Sequence, residues 1–145
     1  MPEAKMQTTQ IVSLFTGYLA GFKSYDLGKV TSCYHLPCTL HTPDKIVLLN
    51  NAKACRQEFS DIFKQLKQAK TSDILVKKAS YSLITENLFF VCIDWAFIDG
   101  QGEIFADFCA IYYLVLIENE LKIINVVSHD LSNSLSLDYP FVLND

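Results

Sequence analysis

Three apolar runs between Leu88 and His129, LFFVCIDWAFIDGQGEIFADFCAIYYLVLIENELKIINVVSH, are interrupted only by DGQG and ENE. Runs of this length around short turn sequences predict three long antiparallel strands joined by tight hairpins. Upstream the period changes. Ile11, Leu14, Phe15, Tyr18, Leu19 and Phe22 recur every three or four residues and predict a first helix, with Thr8 or Thr9 as its cap. Gly17 and Gly21 stand one turn apart in it and admit close approach of another element. Asp26 reads as the cap of a short second helix over Leu27, Val30 and Tyr34, ended by Pro37. Cys38–His41 and Ile46–Leu49 predict two short strands around a Pro43-Asp44 turn. Asn50 or Asn51 caps a third helix whose apolar stripe is Cys55, Phe59, Ile62, Phe63 and Leu66. A strand over Asp73–Ile84 leads through Glu86-Asn87 into the three-strand block. The tail after His129 sets Ser132, Ser134 and Ser136 between leucines, either against a sheet edge or mobile. The order α-α-β-β-α-β-β-β-β predicts an α+β domain over residues 1–145, a curved antiparallel sheet with three helices on one face.

Register decides which side chains share a face. A hairpin loop of Gly100-Gln101, or of residues 99–102, pairs Ile98 with Glu103, and then Ala96 with Phe105, Asp94 with Asp107, Cys92 with Cys109, Phe90 with Ile111 and Leu88 with Tyr113. The opposite face carries Trp95, Phe97, Phe108 and Tyr112, often large against small. Continuing through the turns sets Tyr81 beside Cys92, Ala79 beside Asp94 and Val126 beside Tyr113. His129 then falls on the aromatic side; a three-residue loop moves it to the aspartate side. Both faces are apolar, so both are covered. Helices cover one. A homodimer through Trp95, Phe97, Phe108 and Tyr112 is expected to cover the other, the alternative being the tail folded over it.

Composition narrows the reading. Half of the 145 residues are apolar, 19% are charged and the net charge is -4. With no basic cluster longer than Lys77-Lys78, a nucleic-acid partner is not expected. No apolar run reaches the ~20 residues of a membrane span. The start, MPEAKMQTTQ, lacks the apolar core of a signal peptide. Five cysteines (Cys33, Cys38, Cys55, Cys92, Cys109) without C-x-x-C spacing read as reduced thiols of a cytoplasmic protein, with a Cys92–Cys109 disulfide disfavoured. There is no phosphate-binding glycine loop, nucleophile triad or metal-ligand spacing, so neither cofactor nor metal is expected.

The candidate chemistry is acidic and phenolic. Two carboxylates facing each other in an apolar setting cannot both ionise cheaply, which makes Asp94 and Asp107 candidate general acids or bases. Phe90 and Cys92 share that face, and Tyr18, Tyr34, Tyr81 and Tyr113 supply hydroxyls around an apolar ligand. His41 sits near the rim, His35 reads as a loop residue, and His129-Asp130 point to opposite sides as strand neighbours.

YLAGFKSYDL at the end of the first helix, LPCTLHTP, the third helix with Phe59, and W-x-F-x-D-x-x-G leading into the Phe108–Tyr113 strand follow in an order that resembles the nuclear transport factor 2-like superfamily, which includes ketosteroid isomerase, scytalone dehydratase and SnoaL-like cyclases. The resemblance spans about residues 8–130. It implies a cone: a bent sheet wrapped around helices, a pocket at the open end, and dimers through the outer sheet face. Tyr18 stands eight residues before Asp26, as the oxyanion-binding tyrosine of ketosteroid isomerase does before its matching aspartate. Thr42 occupies the position of that enzyme's base, before Pro43, and Tyr113 falls near its second oxyanion donor, a carboxyl group, so ketosteroid isomerisation is not supported. The expectation is a homodimeric domain that binds a small hydrophobic organic ligand. The alternative is a cofactor-free isomerase, dehydratase or cyclase. There, Asp94 or Asp107 would move a proton and Tyr18 or Tyr113 would steady the enolate.

Overall fold

The structure, a computed structural model, describes residues 2–143. Helices α1 (Pro2–Ser24), α2 (Leu27–Thr31) and α3 (Ala52–Gln68) accompany strands β1 (Tyr34–His41), β2 (Ile46–Leu49), β3 (Asp73–Thr85), β4 (Leu88–Ile98), β5 (Ile104–Ile117), β6 (Glu120–His129) and a two-residue β7 (Tyr139–Pro140). They form one curved sheet in the order β2-β1-β6-β5-β4-β3-β7. All pairings are antiparallel except β1 with β6, which is parallel. Among the described residues no helix is long and apolar enough to cross a membrane.

The helical readings hold, with three corrections. Because Pro2 at the first position and the good helix formers behind it extend α1 upstream, Thr8 and Thr9 lie inside the helix and cap nothing. Instead the Thr8 hydroxyl meets the Tyr81 hydroxyl at 2.6 Å. Secondly, only Gly21 serves a close approach. A Cβ there would stand 2.8 Å from Val30 Cγ2 and 3.3 Å from the Val30 amide, whereas nothing lies within 4 Å of one at Gly17. Thirdly, α2 stops at Thr31, so Tyr34 and Pro37 belong to β1. Pro37 has no N–H to give, and it falls where β1 and β6 lose register between Tyr34 and Thr39. The caps stand as read: Asp26 accepts from the Lys29 amide at 3.1 Å and Asn51 from the Ala54 amide at 2.8 Å.

The sheet register departs from expectation at three hairpins. The β4–β5 loop has five residues, held by the Asp99 carboxylate accepting from the Gln101 and Glu103 amides, and a bulge follows between Phe97 and Ile98. The ladder therefore slips by two. Asp94 pairs with Cys109, Ala96 with Asp107, Cys92 with Ile111 and Phe90 with Tyr113. Asp94 and Asp107 keep the same parity but no longer face each other. Thr85 does oppose Leu88, yet a bulge past Leu83 shifts Tyr81 to Val91 and sets Lys78, not Ala79, beside Asp94. The β5–β6 turn is Glu118-Asn119, both at positive φ, and a bulge between Tyr113 and Leu114 shifts the ladder by one, so Val126 pairs with Tyr112 and His129 with Cys109, on the aspartate parity.

The larger correction concerns the two faces. The aromatic face is the inner one. Trp95 and Tyr112 are buried, and Phe15 and Tyr18 of α1 pack edge-on against Tyr112 at 4.8 and 6.0 Å between ring centroids. Trp95 and Tyr112 are thus interior, and Phe97 and Phe108, partly buried, pack against the same core, so the face expected to carry a dimer is turned toward the helices. The large-against-small pairing on that face marks it as a packed one, and the helices are what pack it. The aspartate face is the outer one. There the tail runs as a strap, neither free nor over the aromatic side. From a short 3-10 turn (Leu131–Asn133) it crosses β5 and β4, the Leu137 and Asp138 amides reach the Ser80 and Ser82 hydroxyls at 2.9 and 3.0 Å, and β7 adds to the β3 edge. Phe141 and Leu143 then bury themselves, Phe141 beside Tyr81.

Candidate functional site

Between α1, α3 and the inner sheet face lies an open cavity of about 760 Å³. Its walls are aromatic and aliphatic: Phe22, Leu40, Phe59, Leu66, Phe97, Phe108 and Val126. Its mouth is polar, with Thr42–Lys45, Glu58, Asp107, His129 and Asp130. Its depth holds Tyr18, Tyr34, Trp95 and Tyr112.

Each of these four comes from a different element: α1, β1, β4 and β5. Edge-on and tilted ring contacts lock them. Tyr18 meets Phe22 at 5.0 Å and Tyr34 meets Phe59 at 5.1 Å. Their polar ends make two hydrogen bonds: Trp95 Nε1 donates to the Tyr112 hydroxyl at 2.9 Å, and the Tyr18 and Tyr34 hydroxyls are 2.8 Å apart, with the Tyr18 and Tyr112 rings edge-on between them. An indole nitrogen can only donate, and a phenol has one proton. Tyr112 therefore accepts from Trp95 and keeps its own proton to give. Tyr18 and Tyr34 share one bond whichever donates, so one of their two protons is left over as well. Burial holds Tyr18, Tyr34 and Tyr112 well above the usual tyrosine range, so they are neutral donors at physiological pH.

Of the expected site residues, Tyr18, Tyr34 and Asp107 line this cavity. The others do not. Tyr81 is fully buried beside Thr8 and Phe141. Phe90 and Tyr113 stack edge-on at 5.0 Å on the outer face. Cys92 and Asp94 lie under the strap, where Ser134 Oγ is 2.7 and 2.8 Å from the two Asp94 oxygens. The cause is the inversion of faces: an apolar setting around Asp94 is equally the mark of a face covered by the chain's own tail. Trp95 and Tyr112 were missed as polar site residues. A Trp and a Tyr on one packed face, each needing a partner when buried, was the available signal.

The thiols are quiet. Burial pushes Cys33 up to about 11 and Cys38 up to about 12, so neither is a nucleophile near neutral pH.

Comparison with known proteins agrees with this fold. An NTF2-like protein of unknown function from Shewanella oneidensis MR-1 superposes with a TM-score of 0.69 at 14% identity, covering 90% of this chain and 100% of that one. A ketosteroid isomerase-like protein from Erwinia carotovora atroseptica gives 0.64 at 12% identity, covering 86% and 96%. An NTF2-like protein with a cystatin-like fold from Novosphingobium aromaticivorans gives 0.71 at 8%, covering 87% and 82%. Nothing matches among curated proteins. The family described as NTF2-like protein (DUF6841) matches residues 7–131, the helices, the cavity and six of the seven strands. The chain belongs to this NTF2-like family.

Proposed function

We propose that this domain binds a small apolar organic molecule carrying a hydrogen-bond-accepting oxygen, a ketone or aldehyde, with that oxygen on the Tyr34 hydroxyl. The observation that carries the reading is the pair of buried phenols Tyr18 and Tyr34, which share one hydrogen bond and so leave one proton for a guest. Apolar walls supply the affinity and the single donor supplies the orientation. Non-catalytic binding is favoured over proton transfer on distance. Asp94 lies outside the cavity, and Asp107 is seven residues along β5 from Leu114, which stands level with the donor Tyr34 across β6 (Leu114↔Ile123↔Tyr34), about 24 Å at the rise of a strand. A base and an oxyanion donor that far apart do not reach one small carbonyl compound together.

The test is calorimetric titration of a cyclic ketone against the hydrocarbon of the same shape. The wild type is expected to prefer the ketone, and Tyr34→Phe, which keeps the ring on Phe59, to lose roughly three- to tenfold of that preference, the worth of one hydrogen bond. No preference in the wild type overturns the reading.

We also propose a homodimer through the part of the outer face that the strap leaves open. Phe90 is 38% exposed there, Ile111, Tyr113 and Val127 are partly exposed, and charge is sparse. Light scattering is expected to give the mass of two chains, and Phe90→Glu that of one. A monomeric wild type rules the dimer out.

A further inference from the structure

Beneath the strap, Cys92, Asp94 and Cys109 bring one donor atom each to within 4.8 Å of one another, all three residues buried. No spacing in the sequence announces them. β4 and β5 bring them together by the register Asp94↔Cys109, with Cys92 one step along the same face. The two sulfurs are 3.4 Å apart, well beyond a disulfide bond of about 2.05 Å. Two thiolates on a tetrahedral zinc ion at about 2.3 Å each stand about 3.8 Å apart, so a few tenths of an ångström of opening brings the two sulfurs to that spacing.

The carboxylate supplies an independent reason. Asp94 is only 8% exposed. Among the described residues its hydrogen-bonding partner is the Ser134 hydroxyl, whose single proton serves both oxygens. Among the described residues it has no ion pair, although Lys78 is its ladder neighbour. A buried carboxylate with one donor and no cation is incompletely satisfied, and a divalent ion would satisfy it. The surroundings also suit metal ligation. Ser134 fixes the carboxylate, as an outer-sphere group does.

We propose that Cys92, Cys109 and Asp94 bind a thiophilic divalent ion, zinc by its ligand set, on the outer face of the sheet beneath the C-terminal strap. Two sulfurs and a carboxylate oxygen fit zinc better than copper(I), which prefers sulfur alone, or magnesium and calcium, which prefer oxygen. Binding releases the two thiol protons to solvent. This site is separate from the cavity, since none of its three ligands lines it.

The test is anaerobic titration of the reduced, chelator-treated full chain with cobalt(II), followed by zinc. A thiolate-to-cobalt charge-transfer band saturating at one equivalent and erased by zinc is expected. Cys92→Ser and Cys109→Ser lose the band, Cys55→Ser keeps it, and Ser134→Ala weakens cobalt binding by about 10- to 100-fold. X-ray absorption of the zinc-loaded wild type does not depend on any variant folding. It is expected to show two sulfur neighbours beside oxygen. Three results each overturn the proposal: no band with the thiols assayed as reduced, a band that survives in both cysteine variants, or a zinc shell of light atoms alone. Isolation of the chain from a reducing cytosol with Cys92 and Cys109 already joined, and no metal uptake, also overturns it.

Discussion

Phe15→Ala is expected to lower the free energy of unfolding by about 3–5 kcal/mol, the usual cost of emptying a fully buried phenylalanine site. Phe15 is 0% exposed and its ring lies edge-on to both Tyr112 and Tyr18. Both phenols lie at the depth of the cavity, so the space left behind opens directly beside them. The loss therefore has two parts. One is apolar transfer and lost packing, which chemical denaturation measures. The other is looser positioning of Tyr18 and Tyr112, which shows as weaker ketone binding even where the variant remains folded. Phe15→Leu, which refills most of the volume, is expected to recover more than half of the stability. A denaturation midpoint for Phe15→Ala within 0.5 kcal/mol of wild type, on the order of an ordinary surface substitution, contradicts the packing described.

Ending the chain after His129 is expected to cost a similar amount, about 3–5 kcal/mol. Phe141 and Leu143 are each worth about 1.5–3 kcal/mol of apolar burial, an upper figure because the unfolded chain is not fully extended. The backbone entropy regained by the freed strap offsets part of it. Against that, Ser80, Asp94 and Cys109 lose their cover, and β3 loses its partner at residues 80 and 81. Hydrogen exchange distinguishes local from global effects. Amides of β3 near Tyr81 are expected to exchange first in the truncated chain, while those of β5 and β6 at Leu114 and Ile123 follow global unfolding. Unchanged stability and unchanged β3 protection together sink the idea that the strap belongs to the cooperative unit.

What could be read from residues alone was local. The stripe Cys55, Phe59, Phe63, Leu66 and the caps Asp26 and Asn51 rest on contacts within one turn, which the sequence displays directly. Strand existence followed from apolar runs. Register did not. The bulges at Phe97, Leu83 and Tyr113 carry no compositional signature, yet each moves every later pairing by a residue. The misassigned faces came from reading Asp94 as a pocket residue, when the residue that receives it, Ser134, is 40 positions away in a tail without periodicity. The expected large-against-small pairs on the aromatic face, Trp95 with Ala106 and Ile93 with Phe108, pointed to a surface packed by the chain itself, although the register sets Trp95 against Phe108 and Phe97 against Ala106. Tyr18 and Tyr34 were legible because resemblance to a known cone fixed their neighbourhood; Trp95 and Tyr112 needed the third dimension.

Because the Trp95 N–H can only donate, the Tyr112 oxygen is committed as its acceptor, and a change at Trp95 would free a buried phenol oxygen on the inner wall of the hollow. The polarity of the interior is thereby open to alteration from behind its lining, with the apolar walls left as they are.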